Sequence, residues 1–175
     1  MHIKKTKDIA IMGVYTALLI GGQVALSAVS GVEVVTILLL GFAYYFGVKK
    51  GAIVANAFSL LRCLVFGFFP NVLILYLVYY NLFVFVIGGL GKLFNRETVP
   101  QKHVIVIIVS LFLAFTFTAL DNLITPLYYG LNKEEWLGYV VTSTYALVPQ
   151  LLCTLITVSL LFRPLVKVLS RVVKA

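Results

Sequence analysis

Residues 8–30, DIAIMGVYTALLIGGQVALSAVS, decide the fold of this chain. The stretch is almost entirely apolar, and roughly 20 such residues at about 1.5 Å each cross the hydrocarbon core of a bilayer. Small residues recur in it at every fourth position, at Gly13, Ala17, Gly21 and Ala25. Because four residues return to nearly the same helical face, these positions form one smooth stripe. We therefore predict a membrane-spanning helix with one closely approachable side.

The small-residue stripe permits two interpretations. In lipid, apolar side chains gain nothing by meeting one another, whereas small residues let two helix backbones approach and pack. The stripe therefore either packs inside the chain's own bundle or docks against another membrane subunit.

The composition excludes an ordinary soluble domain. The chain has 175 residues, of which 62% are hydrophobic and 11% are charged, whereas charged residues make up about 25% of soluble domains. The basic start of the chain leads into a full-length span without a small-residue cleavage site, so we expect no cleavable signal peptide. We predict an all-α membrane protein in which residues 1–175 form a single domain, a bundle of six transmembrane helices.

The net charge is +8, and the distribution of the basic residues along the chain indicates membrane topology and not a nucleic-acid partner. With a cytoplasmic amino terminus and six spans, Lys133 alone falls outside and Arg62 falls within a span. The remaining basic residues all fall inside: Lys4, Lys5, Lys7, Lys49, Lys50, Lys92, Arg96, Lys102, Arg163, Lys167, Arg171 and Lys174. This is a strong positive-inside signal. We therefore expect a multi-pass protein of the cell membrane with both termini cytoplasmic.

Turn residues and apolar runs predict the individual spans. The first five are expected at about 8–28, 33–48, 51–69, 72–91 and 103–125, with turns at 49–51 and 70–71 and with Pro126 ending the fifth. Asn132 followed by Glu135 resembles a capping box, so the sixth span is expected to begin there. After Arg163 the tail is basic and amphipathic, which predicts a segment along the inner membrane surface.

Polar residues in these spans predict a binding pocket. Inserting an ionisable side chain into a bilayer costs about 2.5–3.5 kcal/mol, so each such residue is expected to have a functional or structural role. Counted along the helices, the polar groups converge in the outer half, whereas a pore would need polar lining along its whole length. The candidate substrate-binding residues, with tyrosines as an aromatic wall, are Glu33, Arg62, Asn71, Tyr76, Tyr80, Asp121, Asn122, Thr125 and Thr142. Alternatively, Arg62 and Asp121 form a buried ion pair that fixes helix register.

Catalysis, metal binding and cofactor binding find little support. The two histidines, His2 and His103, lie at the inner boundaries, and Cys63 and Cys153 lie in apolar spans without a CxxC pair. No GxSxG or HExxH motif and no phosphate-cradling glycine loop occurs. We expect no catalytic residue, no metal and no cofactor. Without a nucleotide-binding segment, a transporter built from this chain would draw its energy from partner subunits.

Taken together, these features resemble a known family. About 175 residues, six spans, internal termini and the stripe on the first span are similar to the substrate-binding S component of an energy-coupling factor (ECF) transporter. The segments 31–36 (GVEVVT), followed by an apolar run, and 49–52 (KKGA) fit the same resemblance. In that family the small-residue face docks on the transmembrane coupling subunit, which implies this role for Gly13, Ala17, Gly21 and Ala25.

The resemblance implies capture of a vitamin or related micronutrient at the outer face of the membrane. The partners would be membrane lipid, one coupling subunit and two ATP-binding subunits. The region of Glu33 is similar to a branch that includes cobalamin transporters, with pantothenate and folate as alternatives. Two rival hypotheses are a membrane scaffold or assembly protein without a ligand, and an intramembrane enzyme that uses Asp121 or Glu33.

Overall fold

The protein is all-helical in the part of the chain that its computed structural model describes, residues 5–27 and 34–174. The helices there are α1 (Lys5–Leu26), α2 (Val35–Phe46), α3 (Val48–Phe66), α4 (Pro70–Leu93), α5 (Pro100–Tyr129) and α6 (Lys133–Lys174). The order and number of the helices match the six predicted segments. Glu33 lies outside the described residues, as do its neighbours Gly31 and Val32.

The short helix α2 is the centre of the bundle. It contacts α1, α3, α4 and α6, while α3–α4, α4–α5 and α5–α6 pack in chain order around it. Most of its side chains are buried, and Leu39, Leu40 and Phe42 are fully inaccessible. The sequence pattern explains this position, because a helix that is apolar on all sides has no face suited to water.

Two glycines make the tight connections on either side of α3, and these connections correct the predicted turns. Gly47 (φ 84°) separates α2 from α3, and Gly67 (φ 93°) ends α3. Lys49, Lys50 and Gly51, expected as a turn, instead form the start of α3. A left-handed φ is accessible to glycine without a steric penalty, which explains why the chain turns at Gly47 and Gly67.

Proline also lies inside helices where the sequence predicts a break. Pro70 is the first residue of α4, where its missing N–H costs nothing, so the predicted turn at 70–71 is wrong. Pro126 does not end α5, which continues to Tyr129. Membrane helices tolerate internal proline because neighbouring groups satisfy the freed carbonyls. The true end is at Gly130 (φ 64°), where the Leu131 N–H donates to the Pro126 carbonyl over 3.0 Å.

The start of α6 confirms the predicted capping box. The Asn132 Oδ1 accepts the N–H groups of Glu134 and Glu135 over 3.0 Å, and the Glu135 carboxylate accepts the Asn132 N–H over 2.9 Å.

The end of α6 corrects the expected surface tail. The helix continues through Pro164, and Val166 and Leu169 are buried in the core. A Cβ built on Gly41 would overlap Leu165, so α6 packs tightly on α2 here. The apolar face of the tail therefore packs on the protein.

Four helices are long and apolar enough to cross a membrane, namely α1, α4, α5 and most of α6. With 12 residues, α2 reaches about 18 Å. The 19 residues of α3 include Lys49, Lys50 and Arg62, which make it too charged to qualify by composition. The described helices thus form a multi-pass membrane protein with the short helix α2 at its centre.

Candidate ligand-binding site

A chain of hydrogen bonds joins α4, α5 and α6. Asn71 Nδ2 donates to Thr125 Oγ1 over 3.3 Å, and the Thr125 hydroxyl donates to Asp121 Oδ1 over 2.7 Å. The Tyr139 hydroxyl donates to Asp121 Oδ2, also over 2.7 Å. Since Asp121 and Thr125 are one turn apart on α5, both face the same neighbours. Both oxygens of the carboxylate therefore have protein donors.

A second polar group lies where α1, α3 and α4 meet. The Arg62 guanidinium carbon lies 4.6 Å from the ring centroid of Tyr76 and 5.3 Å from that of Phe66. Gln23 Nε2 donates to the Tyr76 hydroxyl over 3.4 Å. A cation over an aromatic face is attracted by the ring quadrupole, so Tyr76 stabilises the charge of Arg62 inside the bundle.

An aromatic cluster connects the two polar groups. Tyr76 contacts Tyr80, with ring centroids 5.0 Å apart, and Phe117 of α5, at 6.1 Å. Tyr80 packs edge-on against Phe58 at 5.5 Å and is only 4% exposed. Both tyrosines of the predicted aromatic wall therefore belong to the buried core, and Tyr76 also contacts Arg62.

Several buried polar atoms on α1, α3, α4 and α5 have no hydrogen-bond partner among residues 5–27 and 34–174. They are Gln23 Oε1, Arg62 Nε and Nη1, Asn71 Oδ1 and Asn122 Oδ1. Because a buried polar group without a partner costs about 1–3 kcal/mol, such a concentration calls for an explanation, and a bound polar ligand is one.

A cavity of about 260 Å³ opens between α5 and α6 beside Asp121. Thr118, Tyr139, Thr142 and Gln150 also line it. The Thr118 hydroxyl donates to Gln150 Oε1 over 3.4 Å, whereas the Thr142 hydroxyl donates to the Gly138 carbonyl of its own helix. The cavity thus offers hydroxyl and carboxylate groups beside apolar walls, the usual lining of a ligand site.

The structure brings together most of the predicted site residues, in two groups. Asn71, Asp121 and Thr125 are bonded to each other, and Arg62 contacts Tyr76. The alternative pairing of Arg62 with Asp121 is wrong, because neither of the two ion pairs among the described residues, Lys50–Asp8 and Lys102–Glu97, includes them. The position of Glu33 lies outside the described residues.

Sequence reasoning missed Gln23, Tyr139 and Gln150. Gln23 is an amide in an apolar span, and the same energetic argument that selected Arg62 selects it too. Tyr139 lies near the start of α6, where an aromatic ring is typical of an anchor at the membrane interface and so gives no signal for a binding site. Its hydrogen bond to Asp121 depends on how α6 is rotated against α5, which no local pattern encodes.

The small-residue stripe of α1 faces outward. Gly13, Ala17, Gly21 and Ala25 are all exposed, and Cβ atoms built on the two glycines would meet no described atom within 4 Å. The opposite face packs into the bundle through Met12, Tyr15, Thr16 and Leu19. The interpretation of the stripe as internal packing is therefore wrong for the described part of the chain, and its smooth face is open to lipid or to another helix.

No family model, no curated protein and no solved structure matches the chain. Among the described residues, no three His, Cys, Asp or Glu side chains come together as a metal site.

Proposed function

We propose that the chain is the substrate-binding S component of an ECF-type transporter in the cell membrane. Its six helices would all be membrane-embedded with both termini cytoplasmic. It would capture a vitamin or related micronutrient on the outer side, and two ATP-binding subunits would supply the energy through a coupling subunit. The observation that carries this proposal is the set of unpaired buried polar atoms on α1, α3, α4 and α5.

The chemistry of these atoms supports an anionic ligand with hydrogen-bond donors. A buried guanidinium is stabilised by an anion, which Arg62 Nε and Nη1 would bind with charge-assisted hydrogen bonds. The unpaired amide oxygens of Asn71 and Asn122 would accept N–H or O–H groups. Pantothenate and folate carry carboxylates together with such donors. Cobalamin remains the prediction from the segment around Glu33, although a corrinoid needs far more room than the cavity beside Asp121 offers.

The open face of α1 supports the partner in this proposal. A membrane helix that leaves a row of small residues uncovered by its own bundle retains the surface on which close helix packing depends. A coupling subunit docked there would bury Ala17 and Gly21. Arg62, Asn71 and Asn122 lie on α3, α4 and α5, so the docked subunit would not cover them.

Equilibrium binding tests the proposed function. Purified full-length protein in detergent is titrated with radiolabelled pantothenate, folate and cobalamin as part of a complete vitamin panel. Arg62→Gln should weaken binding of a carboxylate ligand at least about tenfold, which corresponds to 1.4 kcal/mol. Arg171→Gln, which removes an exposed charge that lines none of the described cavities, should leave binding unchanged.

A second candidate, a membrane scaffold without ligand, is favoured by the hydrogen-bond chain from Asn71 to Tyr139, since such bonds hold membrane helices together. Folded protein that binds no member of the panel would support the scaffold. Arg62→Gln that lowers the melting temperature without changing any dissociation constant would do the same. An intramembrane enzyme would instead show a catalytic activity that needs no ATP-binding partner and that Asp121→Asn abolishes.

A further inference from the structure

A basic cleft lies at the end of the bundle opposite Asp121. It has a volume of about 560 Å³ and is enclosed by the turn after α4, the end of α2 and the second half of α6. The polar side chains that line it are Tyr45, Arg96, Thr98, Arg163, Lys167 and Ser170, and no carboxylate is among the described lining residues. The cleft is therefore lined by three cations and three hydroxyl groups.

The nearby carboxylates are committed to other lysines. Asp8 Oδ1 accepts a hydrogen bond from Lys50 Nζ over 2.7 Å, and this lysine is only 4% exposed. Glu97 Oε2 accepts one from Lys102 Nζ over 2.5 Å. Neither of these ion pairs includes Arg163 or Lys167, which both line the cleft. They lie four residues apart on α6, one above the other on the same face.

The backbone of the turn places Arg96 at the cleft. Asn95 (φ 53°) and Arg96 (φ 60°) both adopt the left-handed conformation, which is uncommon for residues other than glycine and persists where the surroundings enforce it. The Arg96 N–H donates to the Gly91 carbonyl over 2.9 Å, and the Tyr44 hydroxyl donates to the Glu97 carbonyl. The Arg96 guanidinium lies 5.5 Å from the ring centroid of Tyr45.

Arg96 also connects the cleft to further basic space. A cavity of about 400 Å³ on the other side of the turn is lined by Lys49, Lys50, Lys92 and Arg96. Positive potential is thus concentrated around one turn, at the level where the helices end. Guanidinium and ammonium groups in such an arrangement are complementary in charge to a phosphate, and arginine can donate two parallel hydrogen bonds to it.

We propose that the cleft lined by Arg96, Arg163 and Lys167 binds a phosphate group. Basic pockets between membrane helices at the headgroup level recognise anionic phospholipids, and exposed apolar residues of α6 such as Leu160 and Leu161 lie where acyl chains would run. A soluble phosphate compound offers the same chemistry. The proposal is independent of the proposed transport function, because it involves none of the ligand-site residues.

Lipid retention measures this binding directly. Full-length protein is placed in nanodiscs of equal parts phosphatidylglycerol and phosphatidylcholine, and the lipids retained after detergent extraction are counted by native mass spectrometry. The wild type should retain phosphatidylglycerol preferentially. Arg96→Gln, Arg163→Gln and Lys167→Gln should each lower this preference about fivefold, the effect of about one charge near a membrane surface.

The control variant is Lys133→Gln, which removes an exposed lysine outside the cleft and should leave the preference unchanged. A second arm uses nanodiscs of phosphatidylcholine alone and adds inorganic phosphate, with sodium chloride at equal ionic strength as reference. Phosphate that raises the melting temperature of the wild type but not of Arg163→Gln would identify a soluble phosphate as the source. Equal retention of both lipids without a phosphate effect would overturn the proposal, as would an equal loss in Lys133→Gln.

Discussion

At the scale of single residues, the closest approach in the bundle depends on Gly91. A Cβ built there would collide with the backbone carbonyl of Tyr44, and one on Gly88 would lie 2.8 Å from the backbone nitrogen of Val48. Side chains can rotate away from such a contact, whereas a backbone can yield only if the helix moves. These glycines therefore set the distance between α4 and the α2–α3 junction.

We predict that Gly91→Ala destabilises the protein by about 1–3 kcal/mol, the usual cost of overpacking a tight interface. The matched control is Gly89→Ala on the same helix, where the new methyl group would meet no described atom within 4 Å. Alanine favours the helix by up to about 1 kcal/mol over glycine, so the control should be neutral or stabilising. Thermal unfolding in detergent compares the two, and equal melting temperatures would contradict the close approach.

At the scale of helices, an ion pair joins the start of α1 to the start of α3. Lys50 was expected in an exposed inner turn, yet it is buried and bonded to Asp8, with Phe46 as a further neighbour at 5.5 Å. Of the two lysines that follow Gly47, only Lys49 faces solvent. The local sequence KKG does not distinguish them; the rotation of α3 against α1 does.

For this pair we expect Asp8→Asn to be more destabilising than Lys50→Met. The first change leaves a buried cation without its carboxylate, at a cost of about 3–5 kcal/mol. The second removes the buried charge and keeps a flexible apolar chain in its place. Lys49→Met is the control and should change stability little. The order of the melting temperatures tests this, and a Lys50→Met variant less stable than Asp8→Asn would refute it.

The outward face of α1 leads to a prediction about assembly. Gly21→Trp and Ala17→Trp should abolish co-purification with the coupling subunit that we propose as a partner, while ligand binding and the melting temperature of the isolated chain stay close to wild type. Bulk on the stripe prevents close helix contact, whereas the chain's own bundle does not use this face. Leu18→Trp, on an adjoining exposed position, should be tolerated. A loss of stability in Gly21→Trp would show that the stripe packs internally.

At the scale of the whole molecule, the two ends of the bundle differ in charge and chemistry. Asp121 and its hydrogen-bonded partners lie towards one end, and the basic cleft around Arg96 lies at the other. Such an asymmetry orients a membrane protein with its basic end in the cytoplasm. The proposed ligand site would then open outward and the phosphate cleft would face the inner leaflet.

Thiol labelling of cells tests this orientation. In a background of Cys63→Ser and Cys153→Ser, we expect Lys133→Cys to react with a membrane-impermeant maleimide on intact cells. Lys167→Cys should react only after permeabilisation, because its end of α6 is predicted to be cytoplasmic. Both positions are exposed, so accessibility within the protein does not limit the reaction. Reversed labelling would contradict the predicted topology.

Local sequence patterns determined the helical membrane character of this chain, its six segments and the cap at Asn132. Each depends only on residues a few positions apart, such as an apolar run or the spacing of Asn132 and Glu135. The ends of the helices were less predictable, because proline and glycine are compatible with both helix ends and helix starts. Gly47 and Gly67 ended helices where charged or proline-containing segments were expected to do so.

The partners of the polar groups were decided by the tertiary structure alone. Asp121 bonds to Tyr139 and not to Arg62, Lys50 is buried against Asp8, and the stripe of α1 points away from the bundle. All three outcomes depend on how each helix is rotated about its axis and which neighbours it meets. Helical periodicity defines the faces of a helix, but only the packing of the bundle selects which face is covered.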